Sequence, residues 1–153
     1  YLFYVFTIFP GSLSDNQKKK IMKNTANGYE LATWANSKLD KSDILLSTHR
    51  SISLFKNDTY STIFLWGVNP SNKGAAPYKK FLKSKKINRI IFYGTELNKS
   101  PFNACLGKLL FFKKNVGSKV GRNPFNKGVK YNGWIYEFNF DLLPNCLKKE
   151  NSS

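Results

Sequence analysis

Residues 42–51 read SDILLSTHRS, an apolar run that ends in hydroxyl groups, the single histidine and an arginine. A short continuous apolar run between turn-forming residues is typical of an interior strand of an α/β sheet. Ligands of such sheets gather beyond the carboxyl ends of the strands. Residues 47–51 are therefore the first place to look for a binding site.

Helix and strand patterns alternate on both sides of this run. An amphipathic helix is predicted over residues 18–39, with Ser14 or Asp15 as its N-cap, and a second helix over residues 75–87. Strands are predicted over residues 43–48, 61–66 and 89–93. Helices and strands that alternate with short connections favour parallel pairing with right-handed crossovers.

The pattern changes after Gly94. Two further strands are predicted over residues 108–116 and 133–140, joined by a long loop rich in Gly, Asn and Lys. These two strands are expected to pair antiparallel at one edge of the sheet. The predicted fold class is therefore α/β: a small three-layer or two-layer Rossmann-like domain with a mainly parallel sheet and an antiparallel edge hairpin.

The first eleven residues are uncharged and mostly apolar. Spanning a bilayer takes about 20 apolar residues, but the tyrosines of this segment suit a membrane interface. We expect residues 1–11 to be the end of a truncated transmembrane helix, with a buried β-strand as the alternative. A single soluble α/β domain is expected over residues 12–147 and a flexible tail over residues 148–153.

The chain carries a formal net charge of +16, from 25 basic and 9 acidic residues, and only three of the basic residues are arginines. Proteins that read nucleic acids favour arginine for bidentate contacts, so this composition argues against a nucleic-acid partner. AT-rich coding accounts for part of the lysine content. A basic face near anionic lipid head groups or phosphates is the functional interpretation, and the cluster at residues 18–20 is one candidate for such contacts.

The sequence contains no complete catalytic constellation. Cys105 and Cys146 are too few for a disulfide scaffold, and with His49 they show no metal-ligand spacing. One disulfide and two buried thiols both remain open. Motifs for a nucleophile elbow, a P-loop or a dinucleotide are absent, and the glutamates are scattered. We therefore expect no catalytic residue, no metal and no cofactor in this chain.

Candidate ligand contacts fall in two places. His49, Arg50 and Ser51 follow the first strand. Arg50 is favoured because a guanidinium binds phosphate or carboxylate with a planar fork, whereas His49 has no paired nucleophile and suits a ligand contact or a structural hydrogen bond. In the long loop, Lys119 and Arg122 could hold an anion together with exposed backbone amides. An ordinary surface loop is the alternative there.

Three segments together resemble a known family. Residues 28–36 read GYELATWAN, residues 43–49 read DILLSTH and residues 86–94 read KINRIIFYG. A helix ending in W-x-N, followed by an apolar strand, is similar to the start of the soluble C-terminal domain of multi-span membrane glycosyltransferases of the GT-C type. The resemblance covers roughly residues 20–94.

This resemblance implies a function but no catalytic residue. Such enzymes use polyprenyl-phosphate sugars and carry their acidic catalytic residues in loops among N-terminal membrane helices. The implied role is a non-catalytic, periplasmic or extracellular accessory domain that helps to bind lipid-linked sugar or acceptor, with Arg50 and Arg122 as phosphate contacts. Lysines close to a predicted span fit the cytoplasmic side better, but long domains translocate largely regardless of charge, so the periplasm or cell exterior stays the expected side. The alternative function is a basic module for nucleic acid or anionic surfaces.

Overall fold

The computed structural model of the chain describes residues 14–49, 51–62, 75–94, 106–119 and 129–139. The elements in these ranges are helices α1 (Asp15–Thr25), α2 (Tyr29–Asn36) and α3 (Ala75–Ser84), a 3₁₀ turn (Ile52–Leu54), and strands β1 (Leu45–Ser47), β2 (Thr59–Ser61), β3 (Arg89–Gly94), β4 (Leu106–Lys113), β5 (Ser118–Lys119), β6 (Val129–Lys130) and β7 (Asn132–Phe138). The predicted membrane-helix end at residues 1–11 and the predicted tail at 148–153 lie outside the described residues. Within those residues, no helix is long and apolar enough to cross a membrane.

The single helix predicted over residues 18–39 is wrong, because the chain turns between α1 and α2. The predicted N-cap is confirmed: the Ser14 hydroxyl accepts a hydrogen bond from the Gln17 backbone N–H at 3.2 Å. The break occurs at Gly28, whose φ of +85° is left-handed and cannot continue a right-handed helix. Hydrophobic periodicity misses this turn because apolar residues recur at helical spacing on both sides of it.

The predicted mainly parallel, Rossmann-like fold is also wrong. Five strands form one mixed sheet in the order β2-β1-β3-β7-β4, and β5 and β6 form a separate two-stranded sheet. Strand β1 pairs in parallel with β2 and β3 over three residues each. Strand β7 runs antiparallel to both β3 and β4 and pairs with β3 over six residues. The longest pairings are therefore antiparallel.

The physical reason lies in the last strand. Instead of ending the sheet beside β4, β7 inserts between β3 and β4 and brings antiparallel pairing into the middle of the sheet. An apolar run indicates that a strand is buried, but it does not specify the direction of the neighbouring strand. The alternation of helix and strand up to residue 94 therefore predicts the parallel half alone.

Two hydrophobic cores lie on opposite faces of the sheet. Successive side chains of a strand point to opposite sides, so Leu45 joins Leu31 of α2 and Ile91 in one core. Leu46 joins Leu82 of α3 in the other core. All of these side chains are fully buried, and each contributes about 1.5–3 kcal/mol from removal of apolar surface from water. Helices therefore cover both faces and fix the position of β1.

A buried ion pair fixes the start of β1. The Asp43 carboxylate, 6% exposed, accepts from the Arg89 guanidinium at 3.1 Å. It also accepts from the Asn88 amide at 3.2 Å and from the Asp40 backbone N–H at 3.0 Å. The Asn88 side-chain oxygen in turn accepts from the Ile44 backbone N–H at 2.8 Å. These bonds hold β1 and β3 in parallel register.

Candidate functional site

The ends of β1 and β3 meet at a polar corner. The Thr48 backbone N–H donates to a carbonyl of β3 at 3.0 Å, and its hydroxyl accepts from the Tyr93 backbone N–H at 3.1 Å. His49 follows directly, and its ring lies edge-on to the Tyr93 ring with centroids 4.9 Å apart. We call Asn27, His49, Ser51 and Tyr93 the histidine corner.

Both ring nitrogens of His49 already have partners. Nδ1 accepts from the Ser51 backbone N–H at 3.0 Å, and Nε2 lies 3.4 Å from Oδ1 of Asn27. Because Nδ1 is the acceptor, the neutral ring carries its proton on Nε2 and donates it to Asn27. The ring connects the α1–α2 turn to the end of β1, and neither nitrogen is left free for a ligand while these bonds persist.

Burial sets the protonation state of His49. The residue is 8% exposed, and loss of hydration lowers its pKa below the ordinary value of 6.5. Protonation at Nδ1 would also break the hydrogen bond from the Ser51 backbone N–H, because two N–H donors would then face each other. The ring is therefore neutral at pH 7 and is a weaker base than a free histidine.

The Tyr93 hydroxyl is buried, and it has no hydrogen-bond partner among the described residues. Burial, together with the charges of the nearby Tyr131 and Glu30, raises the pKa of Tyr93 to about 12. The backbone of Gly117 runs past this hydroxyl, and a β-carbon there would lie 3.6 Å from it. Tyr93 therefore carries a neutral phenol at physiological pH.

The structure brings together two of the predicted ligand residues. His49 and Ser51 lie in the histidine corner, where Ser51 contributes its backbone N–H to the ring. Lys119 lies in the two-residue strand β5. Arg50 and Arg122 lie outside the described residues. The ligand contacts of all five residues stay predictions, and those of His49 would require it to release a bond it now makes.

A second site, which we call the lysine groove, lies between α1, α2 and the end of β4. It is an open cavity of about 610 Å³, within the usual size of small-molecule sites. Aromatic surface comes from Tyr29 and Trp34 of α2. Its basic lining residues are Lys19, Lys20, Lys23 and Lys113. The groove combines ammonium groups with an aromatic wall, an arrangement suited to an anion that carries apolar surface.

The ion pair between Lys23 and Glu30 partly balances this charge. The Lys23 ammonium lies 2.9 Å from the Glu30 carboxylate, and this hydrogen bond and charge raise the pKa of Lys23 above its usual 10.5. The two side chains are 62% and 33% exposed, so water screens the pair and its contribution to stability is small. Glu30 is the single carboxylate among the described lining residues, against four lysines. The groove therefore keeps a positive excess.

Sequence reasoning identified only part of the groove. The lysine cluster at residues 18–20 is visible as a candidate for lipid phosphates. Nothing in the sequence connects it with Lys113, which β4 brings to the same groove. Trp34, at helical spacing with other apolar residues, has the pattern of an ordinary core residue, and it is indeed 7% exposed. The sequence contains no signal that this side chain also lines a cavity.

Comparison with known proteins identifies the family. The profile of the DUF1420 C-terminal domain matches residues 23–150. The chain therefore belongs to the DUF1420 C-terminal domain family. No curated protein and no solved structure gives a match. Within this DUF1420 C-terminal domain lie the histidine corner and the part of the lysine groove that begins at Lys23.

Proposed function

We propose that this DUF1420 C-terminal domain is a non-catalytic accessory domain of a membrane-bound glycosyltransferase. In this proposal it lies outside the cytoplasm and binds the phosphate of a lipid-linked sugar, or of its acceptor, in the lysine groove. The observation that supports binding is the groove itself, with four lysines, one carboxylate and an aromatic wall. The transferase part rests on the sequence resemblance over residues 20–94.

The residue types of the groove fit a phosphate ester. Lysine ammonium groups act as point charges with three donors each and bind phosphate without a fixed fork geometry. Tyr29 and Trp34 offer apolar surface to the prenyl or sugar part beside the phosphate. The groove is open, so a lipid-linked ligand could enter without a rearrangement of the sheet.

A role in binding also agrees with the state of three described titratable groups, Asp43, Glu30 and His49. Asp43 is held by Arg89, and Glu30 is held by Lys23. His49 is neutral and bonded at both nitrogens. An acid–base pair needs two groups within reach of a reacting atom, whereas each of these three groups is already engaged with a partner in the chain. Chemistry is therefore assigned to another part of the parent enzyme in this proposal.

Binding can be tested with a water-soluble lipid phosphate. Geranyl phosphate is titrated into the chain and followed by calorimetry, with wild type compared to the double variant Lys20→Gln/Lys113→Gln. Both lysines are exposed, and they come from different elements of the groove. We expect the variant to bind about thirtyfold more weakly, since each of the two lysines near an anionic group contributes about 1 kcal/mol. Lys41→Gln/Lys56→Gln is the matched control and should bind as wild type does.

Two further ligands separate the parts of the proposal. Inorganic phosphate should bind more weakly than geranyl phosphate, because it cannot use the aromatic wall. Equal affinities would remove the lipid part, and no saturable binding of either ligand would remove the groove. In the full-length parent, Lys20→Gln/Lys113→Gln should lower the transfer rate or raise KM for the lipid-linked substrate. Unchanged transfer kinetics would contradict the transferase part alone.

A basic module for nucleic acid is the second candidate, favoured by the net charge of +16. Among the described arginines, Arg89 is held by Asp43 and is not free to read a base edge. The discriminating measurement is binding of a short single-stranded oligonucleotide at several salt concentrations. Tight binding with a steep salt dependence would favour this candidate, whereas no binding at low salt would exclude it.

A further inference from the structure

Two large apolar side chains stand exposed on one strand. Leu109 is 44% exposed and Phe112 is 45% exposed, and they are the exposed large hydrophobic residues among the described parts of the chain. Both belong to β4, which is an edge strand of the five-stranded sheet. Scattered exposed hydrophobic residues need no explanation, but two on the same edge strand do.

A β-bulge places both side chains on the same face of the sheet. Residues three apart in a regular strand point to opposite faces. In β4, however, Leu109 lies opposite Tyr136 while Phe111 lies opposite Ile135, so two steps of β4 match one step of β7. Residues directly opposite one another share a face. Leu109 therefore shares the face of Tyr136, and Phe112 shares the face of its partner Trp134.

Lysines and a tryptophan complete the surface. The Phe112 and Trp134 rings lie 5.6 Å apart at an interplanar angle of 31°. Lys108 precedes Leu109, Lys114 follows the strand, and both are exposed. We call Lys108, Leu109, Phe112, Lys114 and Trp134 the β4 patch. Leu109 and Phe112 are exposed on one face, the partly buried indole of Trp134 lies beside Phe112, and one exposed lysine flanks the pair on each side along the chain.

We propose that the β4 patch docks the domain on an anionic lipid bilayer. Leu109 and Phe112 enter the interface, and Lys108 and Lys114 lie among the anionic head groups. Apolar and aromatic side chains flanked by lysines suit this boundary, because the ring and chain are buried while the charges stay in the head-group layer. The chain's net charge of +16 is complementary to such a surface.

Other occupants fit the patch less well. A second copy of the chain would bring two strongly positive molecules together, and the bulge disturbs the edge that such a copy would pair with. Single-stranded nucleic acid stacks on exposed aromatic faces, but Leu109 has no such face and the Phe112 ring already contacts the Trp134 ring. The bilayer is the partner that uses both exposed side chains.

The β4 patch is separate from the lysine groove. Lys113, which lines the groove, lies opposite Gly133. A β-carbon on Gly133 would meet Leu31 and Trp34, so this face is the one that α2 covers. Leu109 and Phe112 point to the other face. Docking on lipid therefore goes beyond the proposed function and does not depend on binding in the groove.

Vesicle binding tests the proposal with the full chain. The chain is sedimented with vesicles of phosphatidylcholine alone and with vesicles containing phosphatidylglycerol. We expect binding to the anionic vesicles, and a loss of about tenfold or more for Leu109→Ser/Phe112→Ser, because less apolar surface is then buried. Lys108→Gln/Lys114→Gln should bind anionic vesicles about thirtyfold more weakly at low salt. The charge-matched control Lys41→Gln/Lys56→Gln should stay within about twofold of wild type.

Two checks separate docking from misfolding. The conservative variant Leu109→Met/Phe112→Leu keeps the apolar surface and should retain wild-type binding. Trp134 fluorescence should be quenched by lipids brominated near the head group, and Trp134→Phe should remove that part of the quenching. If Leu109→Ser/Phe112→Ser does not fold, the lysine pair and the quenching still decide the result.

Three results would overturn the proposal. The first is vesicle binding of Leu109→Ser/Phe112→Ser equal to that of wild type, with both chains folded. The second is a change from dimer to monomer in this variant, which would assign the patch to a second copy. The third is equal loss of oligonucleotide and vesicle binding in Lys108→Gln/Lys114→Gln with no effect of the apolar pair, which would assign it to nucleic acid.

Discussion

Gly28 lies directly against the imidazole ring of His49: a β-carbon on residue 28 would stand 2.7 Å from Nδ1 of that ring. The φ of Gly28 is +85°, a backbone conformation that L residues rarely adopt. The turn between α1 and α2 and the end of β1 are thus fitted to each other through a residue without a side chain and a buried ring.

Gly28→Ala should destabilise the domain strongly. The left-handed backbone costs about 1–2 kcal/mol for an L residue, and displacement of the His49 ring adds about 1–3 kcal/mol of overpacking. Urea unfolding should therefore show a loss of about 2–5 kcal/mol. Gly94→Ala is the matched control, because a β-carbon there meets nothing within 4 Å. Equal stability of the two variants would contradict this account of the turn.

The stability of the domain should fall as the pH drops below about 6.5. Burial lowers the pKa of His49 in the folded state from 6.5, so the unfolded chain takes up the proton first. The contribution of the neutral His49 ring to stability is complete above the pKa of the unfolded chain. It is lost as the pH falls through the lower pKa of the folded state. Urea midpoints at pH 7.5 and pH 5 measure this, with His49→Gln as the variant that lacks the titrating ring.

The same prediction has a direct spectroscopic check. His49 is the single histidine of the chain, so its ring proton is readily assigned by NMR. Its chemical shift should titrate with a midpoint below 6.5. A midpoint at or above the ordinary value would show that the ring is hydrated or paired with a carboxylate.

Asp43→Ala should cost about 2–4 kcal/mol. Removal of one partner of a buried ion pair costs about 3–5 kcal/mol, and the Arg89 side chain is 25% exposed, which reduces the penalty. The variant also loses acceptors for the Asn88 amide and the Asp40 backbone N–H. The loss should appear in thermal or urea unfolding. Asp58→Ala removes an exposed carboxylate as the control and should stay within about 0.5 kcal/mol of wild type.

Tyr93→Phe should leave stability unchanged or raise it by about 1 kcal/mol. The buried hydroxyl has no hydrogen-bond partner among the described residues, so its removal relieves a desolvation cost.

The Tyr93 phenol should also ionise at a higher pH than a free tyrosine, since burial raises its pKa to about 12. Because the unfolded chain releases this proton at the ordinary pKa of 10.0, the stability of the domain should fall as the pH rises from there through the folded pKa of about 12.

An ultraviolet titration isolates this group. The difference in phenolate absorbance between wild type and Tyr93→Phe should develop with a midpoint near pH 12. A midpoint near 10 would mean that the hydroxyl reaches water. A loss of more than about 1 kcal/mol in Tyr93→Phe would mean that the hydroxyl has a partner.

Local patterns identified the elements better than their arrangement. The apolar run at residues 43–48 predicts the buried strand β1, and Ser14 predicts the cap of α1. The predicted strand over residues 89–93 corresponds to β3. The prediction fails where distant segments decide: α2 is separated from α1 because Gly28 faces His49, and β7 enters the sheet beside β3.

The candidate sites too were predictable only where they depend on neighbouring residues in the chain. The position of His49 at the end of β1 follows from the chain order, but its partner Asn27 lies 22 residues away and is found through the turn between the helices. The lysine groove needs β4 to carry Lys113 to α1 and α2. The β4 patch depends on a bulge, and the sequence LGKLLFFK contains no mark of where the bulge falls.

By itself the sequence determined which segments are buried, where several helices and strands lie, and that the chain is strongly basic, because these properties belong to side chains and their nearest neighbours. Tertiary structure alone decided strand direction, the division of the first helix, and which lysines and apolar side chains share a surface. These properties depend on the pairing register and the packing between segments that are far apart in the chain. One local pattern of apolar and polar residues is compatible with more than one such pairing, so the pattern alone does not select among them.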